Sequence, residues 1–477
     1  MKITDLAPKD VWHWFAQISQ IPRGTFKEQR IMEFIVNFAK ERNLEYIQDK
    51  QGNVLIKKPM QHMQSKNVVC LQGHSDMVWA KDPSSTINFD TDPIELIVDG
   101  EWLRANNTTL GADDGCGVAS ILAILNNKTI AHPNLECLIT VSEEQGLTGA
   151  TNLDIQLNAN LLINLDSEDL ETITIGSCGG TDVDLEASYN ELDAPTNLIA
   201  LQLHIKDLTS GHSGVEIHTK RASANKLLSR FLFNINKNYN ITLAEINGKG
   251  VRNVIPMNAS AIFLANKDDV TLIKTLVESL AKDVRKEFEV TEPTMNISVV
   301  EVSSPSKVMP KDFQNNLLLS YYLCINGVYK VSQHSDIIET SYNLGSFIVK
   351  EGKANVVGLA RSSSESSLKD IVDQCIEVFA IAGFVFTAGN QYPMWEPKYD
   401  SELTKTALSV YKNLFNKESQ ALCIHAGLEC SVIDKDNRMD KISIGPTMKE
   451  VHSPRERVNI KSVEQFQMFL EGILQAL

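Results

Sequence analysis

The chain has 477 residues, with 45 Lys plus Arg against 60 Asp plus Glu and a formal charge of -15. Hydrophobic residues at 43% and charged residues at 22% supply a sizeable core and exclude a disordered chain, and about 150 residues per domain suggests two or three compact units. The acidic balance argues against nucleic acid or an anionic lipid surface as a partner.

In chain order, Pro8–Gln20 and Lys27–Arg42 carry apolar residues at helical spacing, broken at 22–24 by Pro and Gly. Trp12 and Trp14 read as packing residues. Short apolar strands are predicted at 53–56, 67–71, 135–141 and 161–165, with a Gly-flanked helix at 117–125. Strands separated by helices suggest an α/β layer with a mostly parallel sheet. Beyond about residue 185 the texture changes. Strand-like 198–205, 259–265 and 295–302 interleave with helical 223–236 and 270–288, as in an α+β unit with one solvated sheet face. The Ser-rich 362–367 reads as a loop, 391–397 as a boundary, and 463–477 as an amphipathic terminal helix.

The eight cysteines are scattered without a C-x-x-C pair, the pattern of free thiols in a reducing compartment. The N-terminus lacks the layout of a signal peptide, and the most apolar stretch, 375–389, is too short to span a bilayer. A cytoplasmic protein is expected.

Chemistry concentrates at strand ends. In Gly73-His74-Ser75-Asp76 the His and Asp share a face of an extended backbone, so Asp76 can orient the imidazole. Asp113-Asp114 follows Gly-Ala ahead of a helix, Glu143-Glu144 follows the third strand, Asp166 ends the fourth, and His452 lies far along the chain. Each alone is an ordinary turn, cap or surface charge. Together they put His and carboxylates at the carboxyl ends of successive strands, where open α/β sheets hold ligands. Two His with several carboxylates and no Cys suit one or two zinc or manganese ions. The chain contains no H-E-x-x-H, and neither Gly176–Gly180 nor Ser366-x-x-Lys369 carries the companion motifs of a phosphate loop or a serine acyl enzyme.

The ordered series GHSD, GADDG, SEEQG, NLDSED and VHSPRERV, with GHSG at 211–214, NVIP at 253–256 and HAGLE at 425–429, resembles the M20 di-zinc metallopeptidases. The resemblance is nearest to the aminoacyl-histidine (Xaa-His) dipeptidases and runs end to end. It implies two Zn2+ per chain, with Co2+ or Mn2+ as substitutes. His74 and Asp166 would bind one ion, Glu144 and His452 the other, and Asp113 both, with a cis peptide after Asp113. Glu143 would activate a metal-bridging water for hydrolysis of dipeptides such as β-Ala-His, and Asp76 would hold His74 in the right tautomer.

His212 is placed as the family's lid histidine, stabilising the oxyanion, with His218 as its competitor. Asn253, Arg361, Gly427 and Glu429 are candidates for substrate contacts, Arg361 because a guanidinium suits a C-terminal carboxylate. An ordinary surface Arg, and a cap or ion-pair role for Glu429, are equal alternatives. The resemblance further implies a catalytic domain built from 1–186 and 398–477, an inserted lid at 187–397 whose closure brings His212 onto the substrate, and a homodimer. Another M20 substrate class (other dipeptides, tripeptides, N-acyl amino acids) and a non-catalytic binding protein on this scaffold are the competing expectations. The second would lose a ligand or Glu143, and all seven core positions are present.

Overall fold

The computed structural model describes residues 3–333 and 337–477. The chain divides into two compact units. The first comprises Met1–Ser177, Trp395–Cys423 and Leu428–Leu477, and the second Cys178–Met394 with Ile424–Gly427.

The first unit is built on an eight-stranded sheet. Its four middle strands, Asn134–Thr140, Val68–His74, Leu161–Asn164 and Asp440–Ser443, run parallel. The printed pairings flanking them, from Glu45–Gln48 and Val54–Lys58 on one side and Thr172–Ser177 on the other, are antiparallel. The parallel character is therefore central, where both faces are covered and the strands read as apolar runs without alternation. Helices Lys9–Ile18, Gln29–Glu41, Ala112–Asn126 and Ile460–Ala476 supply the cover. Trp12, Trp14 and Phe15 of the first are buried, as are Phe466, Phe469 and Leu470 of the last. Asn459 begins that last helix as a cap, its side chain accepting from Ser462 N at 2.9 Å.

A second, four-stranded sheet decides which distant segments meet. Arg457–Asn459 pairs with Trp102–Ala105 on one side and Met448–Lys449 on the other. It thereby fastens the loop 450–456 beside the segment that leads into helix Ala112–Asn126.

The second unit is a ten-stranded sheet with helices Ala224–Asn238, Val270–Glu287, Lys311–Leu323 and Glu365–Ala380. Its strands Ile338–Lys350 and Lys353–Ser362 form a hairpin turned at Glu351-Gly352, where both residues take positive φ. No strand was predicted there, because Thr340, Ser341, Asn343 and Ser346 are buried polar residues that erase the alternation. Strand Gly179–Ser188 pairs residue for residue with Lys353–Ser362, so the division falls at 177/178, whereas the sequence suggested 186/187. The return falls at 394/395, against a suggested 397/398, and 424–427 joins the second unit.

Candidate metal centre

Three of the chemical clusters end parallel strands of the first unit. His74 is the last residue of Val68–His74, Glu143 and Glu144 follow Asn134–Thr140, and Asp166 follows Leu161–Asn164. Asp113 arrives differently, in the first turn of helix Ala112–Asn126, where Asp113 and Asp114 leave helical φ/ψ and the peptide between them is cis. His452 comes from the loop that the small sheet fastens.

These side chains converge. His74 Nε2 lies 3.0 Å from Asp113 Oδ1 and 3.4 Å from Asp166 Oδ1. His452 Nε2 lies 3.1 Å from Asp113 Oδ2 and 2.9 Å from Glu144 Oε2. The two oxygens of Asp113 thus face one imidazole each. Within each of the triplets His74–Asp113–Asp166 and Asp113–Glu144–His452, the offered donor atoms lie within 4.8 Å of one another. His74, Glu143 and Glu144 form a third such group.

A buried second layer holds the first. Asp76 Oδ1 is 3.3 Å from His74 Nδ1, and the same carboxylate accepts the backbone N–H of Glu143 at 3.0 Å and of Glu144 at 3.2 Å. One group therefore orients both the imidazole and the Glu pair. Asp114 turns inward and accepts from His74 N at 3.1 Å and Gly117 N at 3.0 Å. A Cβ on Gly73 or Gly117 would collide with that carboxylate, which is why glycine stands at both positions.

Two residues that sequence reasoning passed over complete the layer. Glu456 accepts the N–H groups of Leu110 (2.7 Å), Gly111 (3.0 Å), Ala112 (2.7 Å) and Asp113 (3.4 Å). Arg23 is buried and donates to the carbonyls of Ser75 at 3.0 Å, Asp76 at 2.9 Å and Gly111. The only sequence signals for them were their places in PRG and in VHSPRERV.

The electrostatics show what the cluster lacks. Burial raises the carboxyls of Glu143 and Asp166 well above their ordinary range and that of Glu144 more modestly, and neighbouring carboxylates add to the effect. Burial alone would lower His74 and His452, but their carboxylate partners outweigh it. His74 is raised well above 6.5, and His452 is carried up to about 11 by Asp113 and Glu144. Burial also works against the Asp113 anion, yet hydrogen bonds from His452 and His74 hold its carboxyl below 3.8. Crowded carboxylates here raise one another's proton affinity, an electrostatic cost that a divalent cation relieves. Glu144 Oε1 is buried with no hydrogen-bond partner. Oxygen and imidazole donors without thiolate suit a hydrolytic zinc or manganese centre, so the residues fit a metal.

The remaining predicted residues separate. Glu429 belongs to the first unit and is completely buried, its Oε2 accepting from Gln72 and, at 2.7 Å, from Thr140, with its carboxyl pushed by burial up to about 7. Its contacts make it part of the wall. His212, Asn253, Arg361 and Gly427 lie in the second unit. His212 Nδ1 accepts from the N–H of Gly214 at 3.2 Å and Val215 at 3.3 Å, which leaves the ring proton on Nε2. A Cβ on Gly214 would stand 3.0 Å from that ring and 2.6 Å from the His425 carbonyl. Ser213 N donates to Asn253 O at 2.8 Å, so GHSG and NVIP are neighbours. His218 is exposed on the short turn Ile217–Thr219. Arg361 is buried, and Gly427 is half-buried.

Strand ends, a helix start and a fastened loop that bring carboxylates and two imidazoles into one cluster are the arrangement of a metal-dependent hydrolase. Residues 203–310 match the family description "Peptidase dimerisation domain". The chain is 34% identical over 480 aligned residues to the cytosol non-specific dipeptidase of Escherichia coli (strain K12), covering 100% of this chain and 99% of that protein. The crystal structure of the aminoacylhistidine dipeptidase from Vibrio alginolyticus superposes with a TM-score of 0.89 at 34% identity, over 100% of this chain and 98% of that one. A tripeptidase from Staphylococcus aureus shares the fold at a TM-score of 0.61 and 16% identity, over 98% of each chain. The chain belongs to the M20 family of metallopeptidases. No helix among the described residues is long and apolar enough to cross a membrane.

Proposed function

We propose that this protein is a dinuclear-zinc dipeptidase that prefers Xaa-His dipeptides, β-Ala-His among them. The observation that carries the reading is the His74–Asp113–His452 row, in which one carboxylate faces two imidazoles with a different oxygen to each. The dipeptidase names of the two full-length relatives support the substrate class. One ion would be held by His74 and Asp166, the other by Glu144 and His452, with Asp113 shared. When bound, the pair supplies Lewis-acid polarisation of the scissile carbonyl and acidifies water.

The chain's own groups do the rest. Glu143 ligates neither ion. Burial and the neighbouring carboxylates raise its proton affinity, so its carboxylate form is a strong enough base to take a proton from the attacking water, and the resulting acid can hand it to the leaving amine. Asp76 holds Glu143 by its backbone N–H while it orients His74. His212, with its proton on Nε2, donates to the developing oxyanion, and Asn253 and Gly427 line the substrate. Arg361 receives the C-terminal carboxylate. The match to a dimerisation domain supports a homodimer, and the cytosolic name of the E. coli relative supports a cytoplasmic enzyme.

A substrate panel tests the reading. β-Ala-His and other Xaa-His dipeptides are expected to be cleaved faster than dipeptides without His, tripeptides or N-acyl amino acids, by protein that contains two zinc ions per chain. Preference for tripeptides or N-acyl amino acids would move the enzyme to another M20 activity. Glu143→Gln is expected to keep its metal and lose about 100-fold or more in kcat. Wild-type turnover in that variant would refute the mechanism.

A further inference from the structure

Strand register in the second unit lines up four residues across four strands. Ser341 pairs with Arg361, Arg361 with Gly180, and Gly180 with Tyr392. Directly paired residues point to the same face, so these four form one row. Gly180 is the gap in it. A Cβ there would overlap the ring of Tyr392, and without one the phenol lies across the strand and meets the guanidinium, Arg361 Nη1 donating to Tyr392 Oη at 2.5 Å.

The row is poor in negative charge. Arg361 is 6% exposed, its Nε is buried without a hydrogen-bond partner, and among the described residues it enters no ion pair. Its other neighbour in the row, Ser341, is engaged with His425, Oγ to Nε2 at 2.7 Å. His425 Nδ1 in turn faces the Cys178 thiol at 2.9 Å. Both imidazole nitrogens are occupied and neither offers an anion. A buried guanidinium without a carboxylate is costly unless a ligand brings one. Tyr392 Oη accepts from Arg361, so its own hydrogen remains to be donated, and no described residue accepts it. Tyr392 as a residue is half-buried, so it is not sealed into the core.

We propose that Tyr392 is the second donor of a carboxylate receptor: its O–H bonds one oxygen of the substrate's C-terminal carboxylate while Arg361 Nε bonds the other. The pair restricts the enzyme to peptides with a free C-terminus, because a C-terminal amide presents N–H where the phenol needs an acceptor. Gly180 is required so that the two donors can meet. The inference rests on the assignment of Arg361 to the C-terminal carboxylate made above.

The experiment compares β-Ala-His with its C-terminal amide on the zinc-loaded enzyme, in wild type, Tyr392→Phe and Arg361→Lys. If the amide is not cleaved, its inhibition constant against β-Ala-His replaces its kcat/KM. Tyr392→Phe is expected to raise KM for the acid by roughly 10- to 100-fold, the factor that a hydrogen bond to a charged group is worth, with kcat within about 3-fold. The amide is expected to change by less than about 3-fold, so that the acid preference collapses. A purely structural role for Tyr392 predicts equal losses for acid and amide, and that result, or an unchanged KM for the acid, overturns the proposal. Arg361→Lys isolates the underlying reading. If it abolishes the acid preference while Tyr392→Phe does not, Tyr392 alone is misassigned. If it leaves the preference intact, the carboxylate is bound elsewhere and both assignments fall.

Discussion

Glu456→Gln removes one charge and almost no volume, from a side chain whose hydrogen bonds go to backbone N–H groups and to none of the side chains proposed to hold metal. Its carboxylate accepts four successive backbone N–H groups, from Leu110 to Asp113, and lies in the field of the buried Arg23 guanidinium. A glutamine of the same shape accepts only at its carbonyl oxygen and turns an NH2 toward two of the four donors. Each buried N–H left unpaired costs about 1–3 kcal/mol, so two cost about 2–6 kcal/mol. Arg23 loses a compensating charge as well, and breaking one side of a buried charged network costs about 3–5 kcal/mol. The two ranges describe overlapping losses in one network and are not summed, so we expect a loss of about 4 kcal/mol, seen as a lower urea midpoint at constant m. The loop also carries Asp113, so zinc affinity should fall about 10- to 100-fold, the range for second-layer substitutions. Competition with a chromophoric chelator measures that affinity, and urea titration followed by circular dichroism measures the stability. A variant that keeps both the urea midpoint and the zinc affinity of the wild type would show that the four-amide cradle is dispensable, and the account of how Asp113 is held would be wrong.

Three further expectations have separate readouts. Burial, aided by the Arg361 charge, pushes His425 down from 6.5 to about 3. A histidine lowered by folding gives its full contribution above the unfolded pKa and loses it as pH falls from 6.5 toward 3. At about pH 5 the second unit should therefore be about 2 kcal/mol less stable than at about pH 7, in excess of any change in His425→Asn. An identical pH dependence in that variant would contradict the burial of a neutral imidazole. Gly117→Ala should destabilise by about 1–3 kcal/mol although alanine favours helix, because its methyl meets the Asp114 carboxylate; a stabilised variant in thermal melts would refute the packing account. Dialysis against a chelator should abolish peptidase activity and readdition of Zn2+ restore it, whereas activity that survives complete metal removal, checked by elemental analysis, would contradict a metal-dependent centre.

Much of the centre was legible in the sequence because strand ends advertise themselves. An apolar run buried on both faces stops where its His or acid begins, as at His74 and Asp166, and helical spacing marks Lys9–Ile18 and Val270–Glu287 with little ambiguity. Periodicity failed at Ile338–Ser362, where buried Ser, Thr and Asn imitate a loop, and no local signal tells that Gly179–Ser188 pairs with a strand some 170 residues later, which is why the sequence suggests a boundary at 186/187 and the contacts divide at 177/178.

Composition and local pattern thus determined the fold class and the acid–imidazole chemistry, since these depend on residue type and on spacing within a few positions, and the resemblance to the M20 series singled out the residues proposed to carry it. Only the tertiary structure decided how they are used. Asp113 faces two imidazoles because a small sheet pairs Arg457–Asn459 with Trp102–Ala105 across more than 350 residues of chain. Glu456 and Arg23 became supports, Glu429 became a wall residue, and Arg361 and Tyr392 met across Gly180 for the same reason. A side chain's burial and partners are set by which backbones cross near it, and that information is spread over the whole chain.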